Sequence, residues 1–197
     1  NIVGKYGAQV QTLLKKLAAF DIKAICPLHG PVLTENLSYY LGLYDTWSSY
    51  KAESKGTFIA YAGVYGNTRE AALALAEELE SRGEKTVVTD LARSDMAEAV
   101  EDAFRYDKTV FAATTLDGGI FPVMDDFIRH LKAKNFQNRK VGIIENGSWA
   151  PCAAKGMKGI LEGMKEVNIC ENVVSIKSTM KDTDVAKMEE LAKEILA

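Results

Sequence analysis

The sequence predicts an α/β fold: a doubly wound, five-stranded parallel sheet over residues 56–197, preceded by a separate short segment over residues 1–55. Three observations predict it. From Thr57 onward, short β-branched and aromatic runs alternate with stretches of helical apolar spacing. The connections are long enough for right-handed crossovers. Glycine-bearing turns follow the first, third and fourth runs, Gly63 to Gly66, Asp117-Gly118-Gly119 and Asn146-Gly147, at the rim where such a sheet opens its crevice.

In chain order, Val10, Leu13, Leu14 and Leu17 recur at helical spacing within residues 5–20, and Ile22 to Cys26 read as a strand. Pro27-Leu28-His29-Gly30-Pro31 is a stiff loop that presents His29. Thr34 is placed to cap the next helix, whose apolar stripe is Leu37, Tyr40, Leu41, Tyr44 and Trp47. The polar residues 48–56 mark the boundary. Strands then fall near 57–61, 85–89, 108–114, 140–145 and 172–177, and helices near 67–82, 95–105, 121–134, 153–165 and 182–196.

A net charge of -3 spread over 197 residues without long runs argues against nucleic acid or an anionic membrane surface as a partner. No apolar stretch approaches the roughly 20 residues of a membrane helix, and Lys15 and Lys16 lie inside an amphipathic pattern, so a soluble, cytoplasmic protein is expected. The odd number of cysteines, Cys26, Cys152 and Cys170, fits reduced thiols. His130 reads as a solvated surface residue, and Cys152, at a helix start, as a residue without a role.

The three glycine turns carry the chemistry. In the first, Gly63, Val64, Tyr65, Gly66, Asn67 and Thr68 join a strand to a helix whose first N–H groups converge on one point, which suits a phosphate monoester. No lysine is present, so this is not the cradle of nucleoside triphosphatases. The second turn, Thr114, Thr115, Leu116, Asp117, Gly118 and Gly119, offers hydroxyls and apolar tips for one wall. In the third, Trp149 sits among Asn146, Gly147 and Ser148, where a large aromatic is costly unless it covers something flat. A plain helix cap and a tryptophan packed on the neighbouring helix are the competing readings.

Together these turns make residues 57–197 resemble the flavodoxin family, and Tyr65-Gly66-Asn67-Thr68 is similar to the variant in the flavodoxin module of flavodiiron proteins. The resemblance implies FMN bound by all sixteen residues from Gly63–Thr68, Thr114–Gly119 and Asn146–Trp149. Gly63 stands where that family usually has a hydroxyl residue, a loss of one hydrogen bond worth roughly 1 kcal/mol. Gly147 and Ser148 also depart from the usual pattern. Asp117 and Glu145 are read as solvated, or as lowering the potential of the ring if they face it.

Residues 1–55 resemble the end of the metallo-β-lactamase-like domain that precedes the flavodoxin module in flavodiiron proteins, on Ile25 to Pro31 and then Tyr44 and Trp47. The resemblance implies that His29 is the last iron ligand and that the chain is the carboxyl-terminal portion of such a protein. An exposed loop histidine is the alternative. The other ligands of that family lie upstream, and His29 and His130 are the only histidines, so no di-iron centre is expected on this chain.

The implied function is electron transfer without an acid, base or nucleophile. FMN would take electrons from a rubredoxin or a reductase and pass them to a di-iron site that reduces O2 or NO in the intact protein, which the resemblance makes a head-to-tail homodimer. A free-standing NAD(P)H-dependent quinone reductase is a second reading. A receiver-type module is disfavoured, because the acidic cluster it needs is replaced by Tyr61-Ala62-Gly63 and Ala113-Thr114.

Overall fold

The computed structural model describes residues 2–197. The apolar run from Thr57 lies within β1 (Ser54–Ala62), and β2 (Thr86–Asp90), β3 (Tyr106–Leu116), β5 (Arg139–Gly147) and β6 (Val167–Lys177) complete a parallel sheet in the order β2-β1-β3-β5-β6. A short β4 (Gly119–Ile120) folds back antiparallel on β3, pairing Thr115 with Ile120 and Leu116 with Gly119. The hairpin turns through Asp117 (φ 49°) and Gly118 (φ 72°), a positive-φ pair of the kind two-residue hairpins require. The sequence places these residues in a glycine turn forming one wall of the site, without the β4 pairing.

The strands read as continuous apolar runs because both faces are covered. Phe58, Ala60, Ala62, Phe111, Ala113, Val141 and Ile143 face one core, with α4 (Met96–Arg105), α5 (Pro122–Ala133) and α6 (Ala153–Leu161). Ile59, Tyr61, Val110, Ala112, Ile144, Val174 and Ile176 face the other, with α3 (Asn67–Ser81) and α7 (Asp182–Leu196). The doubly wound sheet expected from the sequence is therefore present. Connections run to opposite faces on the two sides of the β1/β3 pair, which opens a crevice at the carboxyl ends of these strands.

The leading segment is different in kind. Helices α1 (Gly7–Leu17) and α2 (Leu37–Ser48) lie against each other, yet no residue from 8 to 47 is buried. Glycine is required at position 7, where a Cβ would come within 2.6 Å of the Ser48 carbonyl oxygen. The Tyr50 hydroxyl donates to the Gly4 carbonyl at 2.6 Å, and Arg139 donates to the Tyr50 carbonyl at 2.7 Å, tying the segment to the sheet.

Two expectations for this segment are corrected. Ile22 to Cys26 form no strand; Ile25 alone bridges Leu33, through a pair of 2.9 Å backbone bonds that close the proline loop. Thr34 does not cap α2, which starts at Leu37 after Asn36 in the left-handed conformation, without a side-chain cap. Both misreadings come from judging a segment by local pattern where backbone pairing partners were unknown. In the sheet, helix α6 stops at Leu161 rather than near 165, and β6 begins at Val167, ahead of an irregularity in its pairing with β5.

Candidate functional site

β1, β3 and β5 end at one rim, and the connections leaving them meet around a cavity of about 310 Å3. Val64, Tyr65, Asn67 and Thr68 come from the first connection, Thr114, Thr115 and Leu116 from the second, and Asn146, Gly147 and Ser148 from the third. Ser178, from the turn after β6, also lines it. Every lining residue is uncharged, so an anion held here is held by backbone dipoles and hydroxyls.

The first connection is built around two glycines with different reasons to be glycine. Gly66 has φ 89° and precedes α3, and no side chain caps that helix. Its carbonyl accepts from Glu70 N–H at 2.9 Å, so the N–H groups of Asn67, Thr68 and Arg69 have no partner inside the helix. At Gly63 the constraint is space: a Cβ would sit 2.9 Å from both Cβ and Oγ1 of the buried Thr68. The missing side chain lets Thr68 fold beneath the loop.

The second and third connections are cross-braced. Thr115 Oγ1 accepts from Cys152 N–H at 2.9 Å and Ala153 N–H at 3.2 Å, joining the end of β3 to the start of α6. Asn146, 3% exposed, turns its side chain to the backbone of Ser178, donating at 2.9 Å and accepting at 3.1 Å. Gly147 packs against Pro151, whose Cα would lie 2.9 Å from an added Cβ.

Glu145, read from sequence as solvated, is 7% exposed. One carboxylate oxygen accepts from Ala154 N–H at 2.8 Å and the other from the Ser175 hydroxyl, its neighbour across β6. The physical reason is the uncapped start of α6, whose amides need acceptors that the helix lacks.

Ten of the sixteen residues expected from sequence line the cavity. Gly63 and Gly66 instead lie, with Val64, along a neighbouring hollow of about 360 Å3 that Tyr61, Arg69, Asp90 and Arg93 complete. There burial, then the Asp90 carboxylate, pushes the Tyr61 hydroxyl above its ordinary pKa. Asp117, Gly118 and Gly119 belong to the β4 hairpin and do not line the cavity. Trp149 stands outside the lining, 84% exposed, and Tyr65 is 92% exposed, so two large aromatic side chains project beside the cavity. At that exposure Trp149 is not packed on a neighbouring helix. Ser178 was missed; its signal was available, since it directly follows the fifth parallel strand at the same rim.

His29 is exposed in the proline loop. Among the described residues, no group of three or more histidine, cysteine, aspartate or glutamate side chains lies close enough to hold a metal. His130 is exposed, and its Nδ1 lies 3.0 Å from the Asp126 carbonyl. Among the described residues, no helix is long and apolar enough to cross a membrane.

Comparison with known proteins places this geometry in context. The flavodoxin domain family matches residues 58–167. An uncharacterised protein of Methanocaldococcus jannaschii is 23% identical over 199 residues, covering 99% of this chain and 50% of that protein. The anaerobic nitric oxide reductase flavorubredoxin of Escherichia coli is 23% identical over 154 residues, 76% of this chain and 32% of that protein. Rubredoxin oxygen:oxidoreductase from Desulfovibrio gigas superposes with a TM-score of 0.89 at 19% identity, over 98% of this chain and 48% of that one. The chain thus spans about half the length, or less, of these relatives.

Proposed function

Because the chain belongs to the flavodoxin domain family, we propose that its crevice holds FMN and that it serves as the electron-transfer module of a flavodiiron-type protein. The single observation that carries the reading is the meeting of three strand-end connections around one uncharged cavity beside an uncapped helix start. The residues fit the group. The free amides of Asn67, Thr68 and Arg69 suit the phosphate, because they converge at the positive end of the α3 dipole. Leu116 and Ser148 line the space left for the ring, and Trp149 and Tyr65 are free to cover it. The ten expected residues that line the cavity, with Gly63, Gly66 and Trp149 beside it and Ser178 added, are the proposed binding set, and Asp117, Gly118 and Gly119 are left to the hairpin.

When bound, FMN supplies the one- and two-electron chemistry that no side chain can. The chain's own part is to hold and orient it. Thr115 and Glu145 fix the start of α6, Asn146 fixes the turn after β6, and the exposed aromatics limit water at the ring face. The lining carries no carboxylate, imidazole, amine or thiol, in keeping with electron transfer.

The finer reading extends to the longer relatives. Residues 1–55 are taken as the end of a metallo-β-lactamase-like domain; helices α1 and α2, without a core of their own, support this. Electrons would arrive from a rubredoxin or a reductase and leave to a di-iron site in that domain, where O2 or NO is reduced. His29 would be one ligand there, in a head-to-tail homodimer.

The test is the absorption spectrum of the purified chain after FMN is added and excess removed by desalting. Retained flavin bands, and weaker retention of riboflavin, support the reading. Loss of all flavin on desalting would sink it.

A further inference from the structure

We propose that Glu145 is a positioning residue for the flavin: its buried carboxylate caps α6 from within the sheet and thereby fixes the connection that carries Ser148 and Trp149. The inference rests on the FMN reading above.

Helix α6 begins at Ala153 after Cys152, which supplies no side-chain cap. Its first amides are satisfied from other strands: Cys152 and Ala153 by Thr115 on β3, Ala154 by Glu145 on β5. Glu145 is in turn held by the Ser175 hydroxyl on β6. A carboxylate that accepts at both oxygens, next to a helix amino terminus, makes charge-assisted bonds and lies at the favourable end of the helix dipole. An apolar residue at 145 would leave the Ala154 N–H without this acceptor.

The mechanical consequence follows from where the connection is anchored, at the end of β5 and at the start of α6. Trp149 is 84% exposed and has no core packing to set its position. Gly147 is pressed against Pro151, so the turn is folded tightly between two ends, the end of β5 and the start of α6. Glu145 bonds to α6 from the strand that leads into the turn. A shift of α6 against β5 therefore moves Ser148 and Trp149 together.

The experiment compares Glu145→Ala and Glu145→Gln in a Trp47→Phe background, which leaves Trp149 as the one tryptophan of the two. FMN affinity is read from quenching of flavin fluorescence, ring geometry from the visible circular dichroism of bound FMN, and folding from thermal melting. Glu145→Ala is expected to weaken FMN about tenfold and to change the visible dichroism, the scale of losing one hydrogen bond to a charged group. Glu145→Gln keeps an oxygen for the Ala154 N–H and is expected to stay within about threefold of the parent. If Glu145→Ala does not fold, Ser175→Ala, which removes the hydroxyl that holds the Glu145 carboxylate and lies outside the cavity lining, provides the second variant, and a weakened affinity with altered dichroism is again expected. Unchanged affinity and dichroism in the folded variant overturn the proposal, as does equal loss in the Ala and Gln variants, which would assign the effect to charge rather than to the cap. Failure of the parent protein to bind FMN is a separate result, which removes the FMN reading itself.

Discussion

Asn146 and Ser178 hold each other reciprocally: Asn146 Nδ2 donates to the Ser178 carbonyl at 2.9 Å, and Ser178 N–H donates to Asn146 Oδ1 at 3.1 Å. Ser178 sits at φ 62° in the turn between β6 and α7, and its N–H is shared with the Gly147 carbonyl at 3.0 Å, so the Asn146 side chain reinforces the backbone pairing at the end of β5. With Asn146 buried, Asn146→Ala is expected to lower stability by about 1–3 kcal/mol, because the Ser178 carbonyl loses a donor that water does not readily replace. Urea unfolding measures it. An unchanged midpoint would show that the pair is incidental.

Gly63→Ser would restore the hydroxyl that flavodoxins usually carry at this position, yet it is expected to weaken FMN binding. A Cβ at 63 meets Thr68 at 2.9 Å, and Thr68 lies in the first turn of the helix whose amides are proposed to hold the phosphate. The expected loss is about 1–3 kcal/mol, the usual range for overpacking a close contact. Fluorescence titration with FMN decides it, and tighter binding would refute the steric argument.

Trp149→Ala separates binding from folding. The side chain is 84% exposed, so melting should stay put, while FMN should loosen by roughly 1–3 kcal/mol, the scale of aromatic stacking on a flat base. Unchanged affinity would remove Trp149 from the ring wall.

The thiols should differ in reactivity in the order of their exposure. Cys26 is exposed, Cys152 half-buried and Cys170 buried, so a thiol reagent at pH 8 should modify Cys26 first and Cys170 only on unfolding. Burial, then the Glu194 carboxylate, pushes the Cys170 thiol from 9.0 up to about 11. The folded state therefore holds this proton more tightly than the unfolded state. The associated stability is fully present below pH 9 and is lost as the pH rises toward about 11. The stability difference between the parent and Cys170→Ala should shrink over that interval; a constant difference would contradict the linkage.

Iron is expected to leave the chain on desalting. Among the described residues His29 belongs to no group of three or more histidine, cysteine, aspartate or glutamate side chains that could hold a metal, and a lone imidazole does not retain ferrous iron. Elemental analysis after incubation with iron checks this, and two irons per chain would overturn it. His29→Ala should leave FMN affinity unchanged.

The sheet was legible because its strands carry dense β-branched and aromatic runs whose helical partners follow at regular intervals. Phe58 to Ala62 and Val110 to Ala113 can only be buried on both faces, which forces a covered parallel sheet. The rim positions Val64 to Thr68 followed from this, since a doubly wound sheet opens at its strand ends. The leading segment was less legible: Ile22 to Cys26 have strand composition, but only Ile25 finds a partner. Thr34 has a capping side chain, but Asn36 takes the position before α2.

What the sequence by itself determined is the order of the elements, the two-faced sheet and the place where its connections gather, because periodic burial and glycine turns are local properties of the chain. The tertiary structure alone decided which polar side chains at the rim brace the frame. Glu145, Asn146 and Thr115 spend their hydrogen-bonding capacity on backbone groups 9 to 38 residues away. The reason is physical: a polar side chain at a strand end turns to whichever unpaired amide or carbonyl lies nearest, and that partner exists only once α6 and the turn after β6 have docked on the sheet.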